Sequence, residues 1–164
     1  MDTVTAETVR EEYDRLRGRA DVVVPLVNAV RADLGAAFDT DVDRITAEGY
    51  HAAIDAVFAD GDRAVNVAAL SGLLRDLDVA ADYPGFVVDE LLGRELAALI
   101  AGDQPLRLLA EATFHYADVT ADDRAATAGE DDLDAALAAG VQTRLPGWDW
   151  RETASPFAVA VDEQ

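Results

Sequence analysis

Apolar residues recur along most of the chain with the three- and four-residue spacing that places them on one face of an α-helix. The stretch 86–101 shows this most clearly, and Gly102 follows its last apolar residue. Comparable stretches are separated by Gly, Pro and Asp residues, which commonly begin or end helices. The predicted helices cover residues 5–17, 24–34, 43–58, 63–78, 86–101, 105–116 and 131–139.

The short connections between these stretches indicate the fold class. Consecutive amphipathic helices joined by short loops bury their apolar faces against one another. We therefore predict an all-α protein, folded as a single-domain bundle of about five to seven helices.

Residues 22–24 fit two structures. Their β-branched side chains suit a strand, whereas Pro25 suits the first turn of a helix that continues to Leu34. We predict the helix, over 24–34. Residues 157–161 alternate like a short strand, so the sequence also allows a minor β-element that pairs 22–24 with 157–161.

The chain changes character after Val119. Residues 120–132 are acidic and small, which predicts a solvated link between helices. The Ala-rich helix that follows, over 131–139, is expected to be short and to end at Gly140.

The remaining residues, 141–164, carry large aromatic side chains. They include Trp148, Trp150 and Phe157. Such side chains supply much buried area, and Trp is enriched among the residues that dominate interfaces. We predict a helical domain, residues 1–140, and a C-terminal extension that packs either on this domain or on a neighbouring subunit. In the second arrangement these three aromatic side chains bind the partner.

Charge adds a prediction about the protein's environment. The chain has 33 Asp and Glu, 13 basic residues that are all Arg, and a formal net charge of −20. The acids are dispersed and 51% of the residues are hydrophobic, which is typical of a folded protein. This composition resembles the proteins of extremely halophilic archaea and implies adaptation to molar salt, where surface repulsion is screened. The resemblance is compositional and indicates no family.

Several classes of function are disfavoured. The absence of Cys excludes disulfides, zinc thiolate sites and thiol nucleophiles. Neither Ser71 nor Ser155 lies in a nucleophile elbow, and no Gly-rich phosphate loop is present. The N-terminus lacks a signal peptide and no apolar run could span a membrane, so we expect a cytoplasmic protein without membrane contact.

Nucleic acid is also an improbable partner, because a strongly acidic surface repels phosphate. The one concentration of basic residues is Arg10, Arg15, Arg17 and Arg19, interleaved with Glu11, Glu12 and Asp14. Glu11 is a helical neighbour of Arg15, so this cluster is expected to neutralise itself.

The two histidines are candidates for chemistry, because each has carboxylates at helical spacing. The two sets are Glu48, His51 and Asp55 on one predicted helix, and Glu111, His115 and Asp118 on another. Two such helices side by side could bring enough oxygen and nitrogen ligands together for a divalent metal. In so acidic a chain, however, a Glu near a helical His is expected without any metal.

We therefore predict a non-catalytic interaction or oligomerisation module, whose partner is a protein or another copy of itself and which needs no cofactor. The alternative is a metal-binding helical-bundle protein or enzyme that uses these histidines and carboxylates.

Overall fold

The computed structural model describes residues 4–77, 87–104, 106–121 and 128–145. The seven helices formed by these residues are α1 (Ala6–Arg17), α2 (Ala20–Ala37), α3 (Ala47–Ala59), α4 (Gly61–Asp76), α5 (Gly93–Ala101), α6 (Leu106–Ala121) and α7 (Ala128–Arg144). A π-helical segment, Val87–Leu92, leads directly into α5. The described residues contain no strand, which confirms the predicted all-α bundle.

Side-chain caps explain where three of the helices begin. The Thr5 hydroxyl accepts from the Thr8 amide at 3.2 Å and begins α1. Asp60 accepts from an amide in the first turn of α4. Thr46 caps α3, which therefore starts at Ala47 and not at residue 43 as predicted.

The prediction for residues 22–24 needs two corrections. They lie within α2, which begins at Ala20, so they do not form a strand. Pro25 consequently lies beyond the first turn. The helix is maintained because its valines face the core; Val23 and Val27, for example, have no exposed surface. The suggested strand partner, 157–161, lies outside the described residues.

The largest difference from the sequence prediction concerns α7. The predicted solvated link over 120–132 is wrong at its end, because 128–132 form the first turns of this helix. Every position from 131 to 143 is buried, and α7 contacts α2, α3, α4, α5 and α6. A helix buried on all sides needs no amphipathic pattern. The last helix of the described chain is therefore the centre of the bundle.

The predicted end of this helix at Gly140 is also wrong, because α7 continues to Arg144. A Cβ atom on Gly140 would lie 2.7 Å from the Cβ atom of Ile100 and 2.8 Å from the carbonyl oxygen of Ala97. The glycine thus permits close contact between α5 and α7. The proposed boundary between 140 and 141 falls inside the helix, and residues from 146 onward lie outside the described residues.

Candidate interaction site

The candidate site is the solvent-facing side of α6. Within 106–119, where the structure describes the side chains of this helix, the exposed residues are Leu108, Ala112, His115, Tyr116 and Val119. Leu108 is 63% exposed and Val119 is 55% exposed. Large apolar side chains in such positions form a continuous surface when they share one helix face.

Four of these residues form a regular seam. Leu108, Ala112, His115 and Val119 are spaced by four, three and four residues, the alternation with which coiled-coil helices contact a partner. We call these four residues the α6 seam. Such spacing keeps the side chains on one narrow stripe of the helix.

Within the part of the chain that the structure describes, the α6 seam is not part of the hydrophobic core. The opposite side of α6 supplies Ala110, Phe114 and Ala117, each with no exposed surface. The helix therefore carries two apolar faces, of which one packs within the bundle and the other faces solvent. The sequence prediction gave only a helix over 105–116 and did not identify this second face, although its four-three-four spacing is readable in the sequence.

Charged groups lie at the edge of the seam. The nearer His115 ring nitrogen, Nδ1, is 3.9 Å from a Glu90 carboxylate oxygen, and Glu90 also accepts from Arg94 at 2.6 Å. Leu91, the residue after Glu90 in the π-helical segment, is 56% exposed. The seam positions themselves carry no carboxylate, which contrasts with the acidity of the whole chain.

The first predicted metal-binding set contacts α1. Asp55 accepts from Arg17 Nε at 2.8 Å and Nη2 at 3.2 Å, and from the Tyr13 hydroxyl at 2.6 Å. The His51 Nε2 atom lies 3.1 Å from the Arg17 carbonyl oxygen. Glu48 is exposed in the first turn of α3.

The second set has different neighbours. His115 lies near Glu90 of the π-helical segment. Glu111 is partly exposed, and Asp118 is buried. Within the part of the chain that the structure describes, no three His, Asp or Glu residues form a group that could hold a metal ion. The predicted contact residues Trp148, Trp150 and Phe157 lie outside the described residues.

The contacts of Asp55 alter the ionisation of two side chains. Hydrogen bonds from Arg17 and then Tyr13 lower the pKa of Asp55 from 3.8 to about 2. The hydrogen bond to Asp55 in turn raises the pKa of Tyr13. These effects belong to an ion pair at the surface, where Asp55 is 45% exposed and α1 is joined to α3.

We expect Asp55→Asn to destabilise the protein modestly near pH 6, in a pH-dependent way. A carboxylate whose pKa is lower in the folded state stabilises that state above its unfolded pKa, near 3.8, and stops doing so as the pH falls through about 2. The difference in urea midpoint between Asp55→Asn and the wild type should therefore decrease to zero as the pH falls from about 3.8 to about 2. Asp33→Asn, at an exposed position of α2, is the control. A pH-independent difference would contradict the role of the Asp55 charge.

Among the described residues, none of the helices has both the length and the apolar character needed to cross a membrane. Comparison with curated proteins and with solved structures finds no match. A family described as a domain of unknown function (DUF7984) matches residues 1–161. Because this match covers nearly the whole chain, the protein belongs to the DUF7984 family.

Proposed function

We propose that this protein is a non-catalytic cytoplasmic module that associates with a second copy of itself through the α6 seam. The observation that supports the proposal is the four-three-four spacing of exposed residues on a helix whose other face is buried in the bundle. Burial of this second apolar face provides the driving force for association.

A second copy fits the seam because the spacing is self-complementary. When two α6 helices pack antiparallel about the midpoint between Ala112 and His115, Leu108 of each copy lies opposite Val119 of the other. Ala112 then lies opposite His115, so a small side chain accommodates a large one. An isologous contact of this kind uses the same patch twice, as two-fold symmetric dimers do.

Electrostatics favours this face for self-association. Two copies that each carry a formal net charge of −20 repel one another, and the repulsion is largest where carboxylates meet. The seam places no Asp or Glu at its contact positions, and salt screens the remaining charges over a short distance. Association is therefore expected to strengthen as the KCl concentration increases, in keeping with the proposed adaptation to molar salt.

We expect the wild-type chain to form dimers in about 2 M KCl and Leu108→Asp to weaken them ~100-fold. Burial of one leucine side chain contributes about 1.5 kcal/mol or more, and a symmetric dimer loses this contribution twice. Sedimentation velocity over a range of protein concentrations measures the dissociation constant. The matched control is Val65→Asp, because Val65 is also exposed, at 47%, but lies on α4.

Two outcomes would contradict the proposal. The first is that the wild-type chain stays monomeric at every concentration, or that it forms a dimer that Leu108→Asp does not weaken. The second is that the wild-type chain is monomeric and that Leu108→Asp lowers its melting temperature whereas Val65→Asp does not. That result would mean that the chain's own residues, such as 146–164, cover the seam.

A further inference from the structure

A second surface feature of the bundle is a pocket where α1, α4 and α7 meet. It has a volume of about 350 Å³ and is lined by Arg15, Leu16, Gly18, Arg19, Arg75 and Leu133. We propose that this pocket binds a small organic anion, in which a carboxylate or phosphate group is joined to a short apolar part. The site is separate from the α6 seam and does not depend on self-association.

The charge of the lining is opposite to that of the protein. Among the described residues, three of the 13 arginines line this pocket and no carboxylate does, although the chain has 33 acidic residues. The sequence predicted that acids interleaved with the basic cluster of α1, such as Glu11 and Glu12, neutralise it. Arg15 does pair with Glu12, but the same carboxylate also pairs with Arg75, which lies on a helix distant in sequence.

A buried carboxylate holds two of the arginines together. Glu12 is only 5% exposed, and one of its oxygens accepts from both Arg15, at 2.9 Å, and Arg75. Glu12 and the exposed Asp76, 3.6 Å from Arg75, balance the charge of these two guanidinium groups. Neither carboxylate is among the residues that line the pocket, so the pair presents positive groups on its pocket side. This arrangement favours a second anion on the open side of the pair.

The arginines also differ in the donors they retain. Arg19 is engaged by Asp134, which accepts from its Nε at 2.9 Å and its Nη2 at 2.6 Å. Among the contacts of the described residues, Arg15 donates only to Glu12, and its side chain is 52% exposed. Its Nε and Nη2 groups can therefore donate to a ligand.

The chemistry of the lining indicates the class of ligand. A planar guanidinium group binds carboxylate and phosphate through two parallel hydrogen bonds. Leu16 and Leu133 supply an apolar wall beside these groups. A pocket of about 350 Å³ is of the size that holds a small molecule. A compound with both an anionic group and a short apolar part satisfies both halves of the pocket.

Thermal-shift and calorimetric titrations of the full chain at constant ionic strength test this proposal. The probes are acetate and hexanoate for the carboxylate class, and inorganic phosphate and phenyl phosphate for the phosphate class. We expect hexanoate or phenyl phosphate to bind at least about tenfold more tightly than its smaller counterpart, because only the larger probe contacts the leucines. Which pair shows this difference identifies the anionic group.

Two variants distinguish binding in this pocket from a general effect of the protein's charge on anion binding. Arg15→Gln should weaken binding of the preferred probe at least about tenfold, because it removes a charged donor. The control, Arg10→Gln, removes the same charge from the same helix, at an exposed position outside the pocket. Melting without ligand checks that both variants fold. Equal loss in the two variants, or no binding by any of the four probes, would overturn the proposal.

Discussion

Replacement of Arg31 by methionine is expected to lower the free energy of unfolding by about 3 kcal/mol, since two buried carbonyl groups and one partly buried carbonyl group lose a donor and each loss costs about 1 kcal/mol. Arg31 is 1% exposed and lies on α2. Its Nη1 donates to the Asp43 carbonyl at 2.7 Å, and its Nη2 donates to the carbonyls of Gln142 and Leu145 at 2.9 and 3.0 Å.

The position of these acceptors explains the size of the effect. Gln142 and Leu145 lie at the C-terminal end of α7, where carbonyl groups have no partner within the helix. The positive charge of Arg31 also interacts favourably with the negative end of the helix dipole. Asp43 belongs to the segment between α2 and α3, so one side chain joins this segment, α2 and the central helix.

Urea denaturation at constant KCl concentration, followed by circular dichroism, measures this effect. Arg44→Met is the control, because Arg44 is exposed on the same connecting segment and its loss should change stability by less than about 0.5 kcal/mol. Arg31→Lys should be intermediate, since it keeps the charge but not the forked donor geometry. If Arg31→Met were as stable as Arg44→Met, the proposed cap on α7 would be wrong.

Local signals predicted most of the fold. The predicted helix 5–17 matches α1 closely because Thr5 provides a cap that is visible in the sequence. The predicted helix 63–78 approximates α4 from its apolar spacing, although α4 begins earlier, at Gly61, after the cap residue Asp60. The central helix could not be predicted in this way. Asp131, Asp132 and Asp134 are typical surface residues by composition, yet all three are buried.

The burial of Asp134 shows why the sequence was misleading. Its charge is balanced by Arg19, which lies 115 positions earlier in the chain. A carboxylate without such a partner would be costly to bury. The residues next to Asp134 in the sequence therefore predict that its side chain is exposed to solvent. Only the tertiary fold brings these two residues together.

The same limit applies to the candidate sites. The sequence identified His51 and Asp55 as polar groups on one helix, but their contacts are supplied by α1. It identified Arg15 and Arg19 only as members of a basic cluster that neutralises itself, whereas in the fold Arg75 and Leu133 join them in a pocket from other helices. Residue type and local spacing were therefore sufficient to propose participants, whereas the arrangement of the sites depended on helix packing.

A substitution at Gly140 tests the central position of α7, and we expect Gly140→Val to destabilise the fold by about 3 kcal/mol. The new side chain would meet the Cβ atom of Ile100 and the carbonyl oxygen of Ala97 at less than van der Waals distance. Neither atom is the end of a flexible side chain, so α5 and α7 must move apart and weaken their contact.

Gly61→Val is the matched control, since a Cβ atom at Gly61 has no neighbour within 4 Å. Both glycines lie in helices, and replacement of glycine by valine slightly favours the helical backbone at each position. Backbone propensity alone would thus make both variants as stable as the wild type or more so. A large loss of urea stability in Gly140→Val alone would therefore report the close contact between α5 and α7, whereas equal stability of the two variants would place Gly140 away from any neighbouring helix.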